Sequence, residues 1–500
     1  MEGIWLRRYT SNDEKELCRE YNIRNYELYK LEKGIYLKPK SKTIKELRLF
    51  YENEYDQMKW LLRIQRTISY IKTSGIGLRT ALLPSKSFRL TAWDFSGDPK
   101  DYIFQSYFIS TRTIFLIVWD LSKEEEGIEG VRFWCKSLSC LLPKNSIDSN
   151  GRPLFSILVV GTFLDRQSVK KTNQARDARR EKIIQIGIES GLDCVLQYFE
   201  VSCLTLESIE ELKEALLATS LFQSYQTSPK FYPLLERAVE KLQQEHSEFP
   251  IIETSQLISE CKVLNPNFNC DPKLLKFGLR KLHEAGKCFH FERPKALSNH
   301  LFLNLHFLAN EIFAPLITAT LNKQNRVIEN PDFYSIWPEM YEVAPSITNL
   351  MEKFEFAMQI LDGDENWHND FLHKQTVIPH FLPKFIPEEG HKLREYWIED
   401  PPPTQFLQET KNFSFSILPL GFFSRLLVLL SKFVYKKLIW EDQVLLNKNG
   451  CLGLMKVNES DCIIHVQIRG ENENLIKELE NIIFQNIQTC LGSYLGVNLL

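Results

Sequence analysis

The segment Phe88–Ser122, FRLTAWDFSGDPKDYIFQSYFISTRTIFLIVWDLS, decides the reading of this chain. An extended apolar run ends in Asp94, a turn passes through Phe95, Ser96 and Gly97, a helix-length stretch follows, and a second apolar run, Thr113–Trp119, returns. A carboxylate at the C-terminal end of a buried strand, with a glycine three residues on, can link a metal and offer a backbone amide to a bound phosphate. A bare DxxG arises by chance. It is the order strand, DxxG, helix, strand that gives this one meaning.

Downstream, the same rhythm continues. A helix is expected around Val131–Leu142, a third strand over Phe155–Val160 leads into Gly161-Thr162-Phe163-Leu164-Asp165, a basic helix-like segment spans Gln167–Gly191, and a fourth strand, Cys194–Val201, precedes Ser202, Cys203 and a helix over Leu206–Thr219. Strands alternating with helices predict a parallel α/β sheet covered on both faces. Ligands of such sheets lie at the carboxyl ends of the strands, where Asp94, Asp165 and Ser202 fall.

The chain has 500 residues, 44% of them apolar and 12% aromatic, enough for several cores. With 61 basic and 64 acidic residues the net charge is −3, so nothing global draws it to nucleic acid or anionic lipid. Eleven scattered cysteines without CxxC spacing point to free thiols in a reducing compartment. The first twenty residues have no apolar core of signal-peptide type, and the most apolar tract, Phe413–Val434, is broken by Pro419, Gly421 and Arg425. A cytoplasmic protein with no transmembrane segment is the expectation.

Beyond Pro229 the texture changes to amphipathic helices at Phe231–His246 and Lys273–Gly286, then short strands around Cys288–Phe291 and Leu301–Leu305. Helix, helix, hairpin resembles a winged helix, and Lys273, Lys276, Arg280 and Lys281 could face a phosphate backbone. An acidic chain without interleaved aromatics favours a solvated face, and no nucleic-acid partner is expected. Helices near Asn304–Thr318 and Ile347–Ile360, an apolar run ending at Pro379, and a linker marked by Pro401-Pro402-Pro403 follow. The last block opens with Phe413–Val434, continues in strands near Val444–Leu446, Cys451–Val457 and Asp461–Ile468, and closes in a helix over Asn472–Ile487. His368, His373 and His380 are spaced by five and seven, which does not place two on one helical face for zinc. The basic segment Arg166–Lys182 is most simply a solvated helix face, with peripheral membrane or RNA contact the competing reading.

On these residues the chain resembles the Roco proteins, a Roc domain of Ras-like GTPase type followed by a COR domain, and within them the leucine-rich-repeat kinases. WDFSG (Trp93–Gly97) with the following strand resembles the third GTPase motif. VGTFLD (Val160–Asp165) resembles the Roc segment that replaces NKxD, which makes Asp165 the expected guanine ligand. Lys72–Gly77 resembles switch I and puts Thr73 at the magnesium threonine. EFPII (Glu248–Ile252), LHEAGKCFHF (Leu282–Phe291) and LPLGFFSRLL (Leu418–Leu427) resemble COR segments. Taken together, the resemblance implies GTP or GDP with Mg as cofactors. The residues to hold them are Lys59, Thr73, Asp94, Gly97, Thr162, Asp165, Ser202 and Cys203, with Thr73 and Asp94 on the metal and the amides of Ser202 and Cys203 on the base. No residue is assigned a catalytic role.

The departures weigh as much. Where Roc carries its phosphate loop the chain reads Asn53–Trp60 without a glycine: Lys59 can stand for the lysine, but Trp60 has no hydroxyl for Mg, and Glu54 and Asp56 bring negative charge. At the position that orients water stands Asp98, followed by Pro99. No leucine-rich repeat is read before residue 45 and no Gly-rich loop, HRD or DFG motif of a kinase anywhere. The expected organisation is a lead-in over 1–44, Roc over 45–225, winged-helix-like COR-A over 226–405 and α/β COR-B over 406–500. The expected function is a signalling scaffold with a nucleotide-defective GTPase-like unit, binding weakly or not at all, that dimerises through COR-B and contacts other signalling proteins. The alternative is a slow GTPase module regulating a kinase of the same gene product.

Overall fold

A computed structural model describes residues 76–82, 89–109, 113–143, 155–169, 171–192, 195–223, 231–269, 271–361, 374–388, 390–398 and 406–500. Residues 75–93 and 98–500 form one compact unit, from which 94–97 separate. Strands β1 (Ile76–Leu82) and β2 (Arg89–Phe95) are neighbours in a two-stranded sheet. Asp98 then caps a short 3-10 turn, accepting from the Lys100 amide, and leads into the one-turn helix α1 (Tyr102–Gln105).

A parallel sheet in the order β3 (Ile114–Asp120), β4 (Ser156–Thr162), β5 (Leu196–Glu200) follows, threaded by α2 (Glu124–Leu141) and α3 (Asn173–Glu189), and α4 (Ile209–Gln223) comes after it. The three strands lie within two residues of the apolar runs that predict them. This mixed α/β arrangement has the character of a Ras-like unit. Ile157 and Val159 face Val131, Cys135, Leu138 and Ile183, while Leu158 and Val160 face Ile209, Leu212 and Leu216. Cover on the second face is incomplete among the described residues: α4 packs against Leu158, Val160 and Val201, and Leu116 and Val118 of β3 remain 44% and 61% exposed.

The middle of the chain runs α5 (Tyr232–Glu245), β6 (Ile251–Glu253), α6 (Thr254–Leu264), α7 (Pro272–Glu284), β7 (Phe289–His290) and β8 (His300–Phe302), with the strands in the order β6-β8-β7. This is winged-helix order. The sequence pattern misses β6 and α6, too short and too weakly periodic to stand out. A π-helical turn, Phe307–Phe313, runs into α8 (Ala314–Asn322); β9 (Val327–Glu329), α9 (Phe333–Ile336), α10 (Ala344–Lys353), β10 (Met358–Leu361) and β11 (Lys374–Val377) complete this part.

After α11 (His391–Tyr396), an antiparallel sheet in the order β12-β16-β15-β14-β13 is built from β12 (Leu407–Ser414), β13 (Val434–Ile439), β14 (Gln443–Lys448), β15 (Cys451–Asn458) and β16 (Ile463–Gly470). α12 (Phe422–Leu429) and α13 (Glu473–Leu491) cover one face, burying Phe422, Leu426, Leu427, Ile476, Leu479, Ile483 and Ile487. Trp397 and Leu393 close the other over Leu438, Leu445 and Leu454. The tract Phe413–Val434 is therefore mostly this chain's own core. Its apolar character reports burial under α13, so it does not offer a contiguous exposed patch for the dimer expected through this block.

Candidate functional site

The ends of β3, β4 and β5 converge on one corner. Thr162 closes β4 and its hydroxyl donates to the Trp119 carbonyl of β3 (3.0 Å), tying the two strand ends together. The chain then turns sharply, with Phe163 at a φ of 62°, a left-handed conformation that a side chain pays to adopt and that tight functional turns often hold. Asp165 follows, and the Ser202 hydroxyl at the end of β5 donates to its Oδ1 at 2.6 Å. The same hydroxyl accepts from the amides of Leu204 and Thr205 (3.2 and 3.0 Å), so its only proton is directed at the carboxylate. The Ser202 hydrogen bond holds the Asp165 carboxyl below the usual range, with Lys171 and Arg166 adding to the effect.

A second carboxylate stands beside it. Asp120 accepts from the Ser122 amide (2.9 Å) and hydroxyl (2.6 Å) and from Arg166 Nη1 at 3.0 Å. Partial burial raises its pKa, but the Ser122 bonds and the Arg166 charge outweigh that and leave it lowered. Arg166 also lies over the Phe163 ring at 3.9 Å. Asp120, Ser122 and Arg166 are given no site role by the sequence, nor is Phe163 within VGTFLD; the signal for the first two is D-x-S at a strand end, an Asx-turn pattern.

The candidates read from the sequence separate into groups. Thr162, Asp165, Ser202 and the exposed Cys203 are brought together. Asp94 is the penultimate residue of β2 and exposed, and Gly97 is exposed in the turn after it. Lys59 and Thr73, with Glu54, Asp56 and Trp60, lie outside the described residues. The Ser202 amide, expected to meet a base, instead donates to the Glu207 carbonyl at 3.1 Å, because the turn closes on itself; its hydroxyl is the group directed at the site. Asp98 spends its carboxylate capping the turn that follows. Asp165, oriented by Ser202, keeps lone pairs with which a charged carboxylate can accept further hydrogen bonds.

The basic segments are largely spent on acids. Arg179 makes a two-pronged contact with buried Glu200 (2.7 and 2.9 Å), Arg176 reaches Glu207 (2.9 Å) and Lys182 reaches Glu124. On α7, Lys276 and Arg280 both hold Glu292 at the start of the wing (2.9 and 2.6 Å). No helix among the described residues is long and apolar enough to cross a membrane, and none of their His, Cys, Asp and Glu side chains cluster in threes for a metal.

Residues 229–382 match the family "C-terminal of Roc, COR-A domain". "Probable serine/threonine-protein kinase pats1" of Dictyostelium discoideum is 22% identical over 413 residues, 80% of this chain and 12% of that protein. "Probable serine/threonine-protein kinase roco11" of the same organism is 30% identical over 179 residues, 33% of this chain and 11% of its own length. Residues 229–382 thus carry a COR-A domain, and the chain as a whole is similar to Roco proteins. "Leucine-rich repeat serine/threonine-protein kinase 1" of Mus musculus is similar at 23% identity over 68% of this chain and 17% of that protein, so the chain spans a small fraction of each of these relatives. The COR-A match begins just before α5, and the corner at the ends of β3–β5 lies in the Roc-like part before it.

Proposed function

We propose that this chain acts as a Roc–COR scaffold whose GTPase-like unit is nucleotide-defective and whose last block, 406–500, forms a homodimer for other signalling proteins to dock on. The scaffold reading rests on one junction. Arg425 of α12 donates to Glu355 Oε2 through Nε (3.0 Å) and Nη2 (2.6 Å), reaches Ser493 (2.9 Å), and lies between the rings of Tyr107 and Tyr494 at 5.0 and 5.2 Å. A single buried guanidinium thus ties the segment before β3 to the COR-A and COR-B parts. Such a joint transmits position.

The nucleotide defect rests on the sequence of Asn53–Trp60. A phosphate loop supplies several amide bonds to charged oxygens, each of about 1.5–3 kcal/mol, so losing three costs about 5–9 kcal/mol, and each 1.4 kcal/mol is about tenfold in affinity. Mg·GTP therefore binds no tighter than about millimolar, and hydrolysis is undetectable. Isothermal titration of the chain and of Asp165→Ala decides it: micromolar affinity abolished by the substitution would sink the reading. A second reading, a slow GTPase module that regulates a kinase of the same gene product, is favoured by the ordered Asp165–Ser202 pair and is the one such a titration would install.

A further inference from the structure

The outer edge of β12 is open over a defined length. Phe415 donates its amide to Cys462 (2.9 Å), so residues of its parity, 407, 409, 411 and 413, turn their backbone groups towards β16, and 408, 410, 412 and 414 turn theirs outward. At the far end this edge is filled by the C-terminal segment: Leu500 donates to the Ser414 carbonyl (2.8 Å) and Ser416 to the Asn498 carbonyl (3.0 Å). Among the described residues nothing is hydrogen-bonded to the outward groups of Gln408, Thr410 and Asn412. The open span runs from Leu407 to Phe413, and its midpoint is Thr410.

We propose that a second copy of this chain pairs with this edge, β12 to β12 antiparallel, about a two-fold axis at Thr410. In that register Gln408 exchanges both backbone bonds with the partner's Asn412, Thr410 with the partner's Thr410 and Asn412 with the partner's Gln408, using every outward group of the open span. Between them fall the non-hydrogen-bonded positions, where side chains approach closest: Glu409 meets the partner's Lys411, and Leu407 meets the partner's Phe413.

The charges select this register. Shifting the axis by one residue sets Glu409 against the partner's Glu409 or Lys411 against the partner's Lys411, and like charges directly opposite are destabilising. A lysine on an edge strand ordinarily deters pairing. Here it has its complement two residues upstream on the same face, the face on which Lys411 reaches Glu480 of α13 (3.2 Å) and the Phe413 and Phe484 rings stack. Leu407, 52% exposed, is the apolar group such a pair would cover. The result is a continuous ten-stranded sheet with both α13 helices on one side.

This inference rests on the dimer proposed above and fixes its geometry. Sedimentation of the full chain at high micromolar concentration should show a dimer. Glu409→Lys and Lys411→Glu should each raise its dissociation constant at least about tenfold, and the double exchange E409K/K411E should return it to within about threefold. Under copper–phenanthroline oxidation, Thr410→Cys should give a covalent dimer beyond the wild-type background, since directly opposed residues lie about 5.5 Å apart at Cα, and Gln408→Cys should not. Where a single reversal fails to fold, the cross-link decides alone. A wild-type chain that stays monomeric overturns both the dimer and the edge. A dimer indifferent to the reversals and without the Thr410→Cys cross-link leaves the dimer standing and overturns the edge.

Discussion

Asp165 and Glu355 are both carboxylates held by a dedicated partner, and they sit in opposite environments. Asp165 is partly exposed at the ends of parallel strands, bonded by a neutral hydroxyl that lowers its pKa. Glu355 is buried beneath α12, where desolvation raises its pKa against the pull of Arg425, its charged partner at 2.6 Å. A carboxylate kept charged in reach of water is available to a ligand. One sunk with its counter-charge is committed to holding the fold, because each ion is tolerable there only while the other remains.

The sharpest way to break this contrast is at Arg425. Arg425→Ala leaves Glu355 buried without its cation and should cost about 3–5 kcal/mol in urea unfolding, whereas Arg425→Met with Glu355→Leu should cost far less. Equal losses in the two would mean the junction is held by packing alone, and the contrast with Asp165 would lose its electrostatic half.

Acid probes the buried side next. His283 is buried among Trp93, Phe289 and Phe291, and burial, with the neighbouring His290, pushes its pKa down to about 4. Its folded pKa lies below the unfolded value near 6.5, so the unfolded state binds the proton first. Its contribution is complete above about pH 6.5 and is lost as pH falls towards 4, up to about 3 kcal/mol. Unfolding curves across that window for the wild type and His283→Gln should differ in slope; parallel curves would show that His283 does not titrate as its burial demands.

A smaller effect is expected where the C-terminal segment meets α2. The Gly496 amide donates to the Cys140 carbonyl at 2.9 Å, and a Cβ on Gly496 would fall 1.7 Å from the Ser139 carbonyl oxygen. Gly496→Ala must push the segment off the helix end, costing about 1–3 kcal/mol by the measure of overpacked sites. An unchanged midpoint would show that this contact is dispensable.

The smallest effect belongs to the exposed side. Ser202→Ala should raise the Asp165 carboxyl pKa, followed by carboxyl chemical shifts, and, because the hydroxyl also accepts from the Leu204 and Thr205 amides, cost no more than about 1 kcal/mol in unfolding. A marked loss of stability would reclassify the corner as structural.

The sequence by itself determined the parallel strands and the corner. Their apolar runs are long, and two of them lead into a chemically distinctive residue, Asp165 after β4 and Ser202 after β5, so period and punctuation agree; the strand before Asp94, expected in the same sheet, pairs instead with β1 in a sheet of its own. It shows that Phe413–Val434 must leave water, in part under the C-terminal helix, but not how much of it a partner would have to cover: hydrophobicity reports removal from water and is silent about the neighbour, and the fold puts most of the tract under α13. β12 was illegible because LQETKNFS, half in solvent and on an edge, has neither the composition nor the alternation of a covered strand. The pairing of Arg425 with Glu355, 70 residues apart, and the spending of Lys276 and Arg280 on Glu292 likewise belong to the tertiary structure. A charge in a sequence declares its sign, and whether it is offered to a ligand or neutralised at home depends on which segments the fold brings within a few ångströms of it.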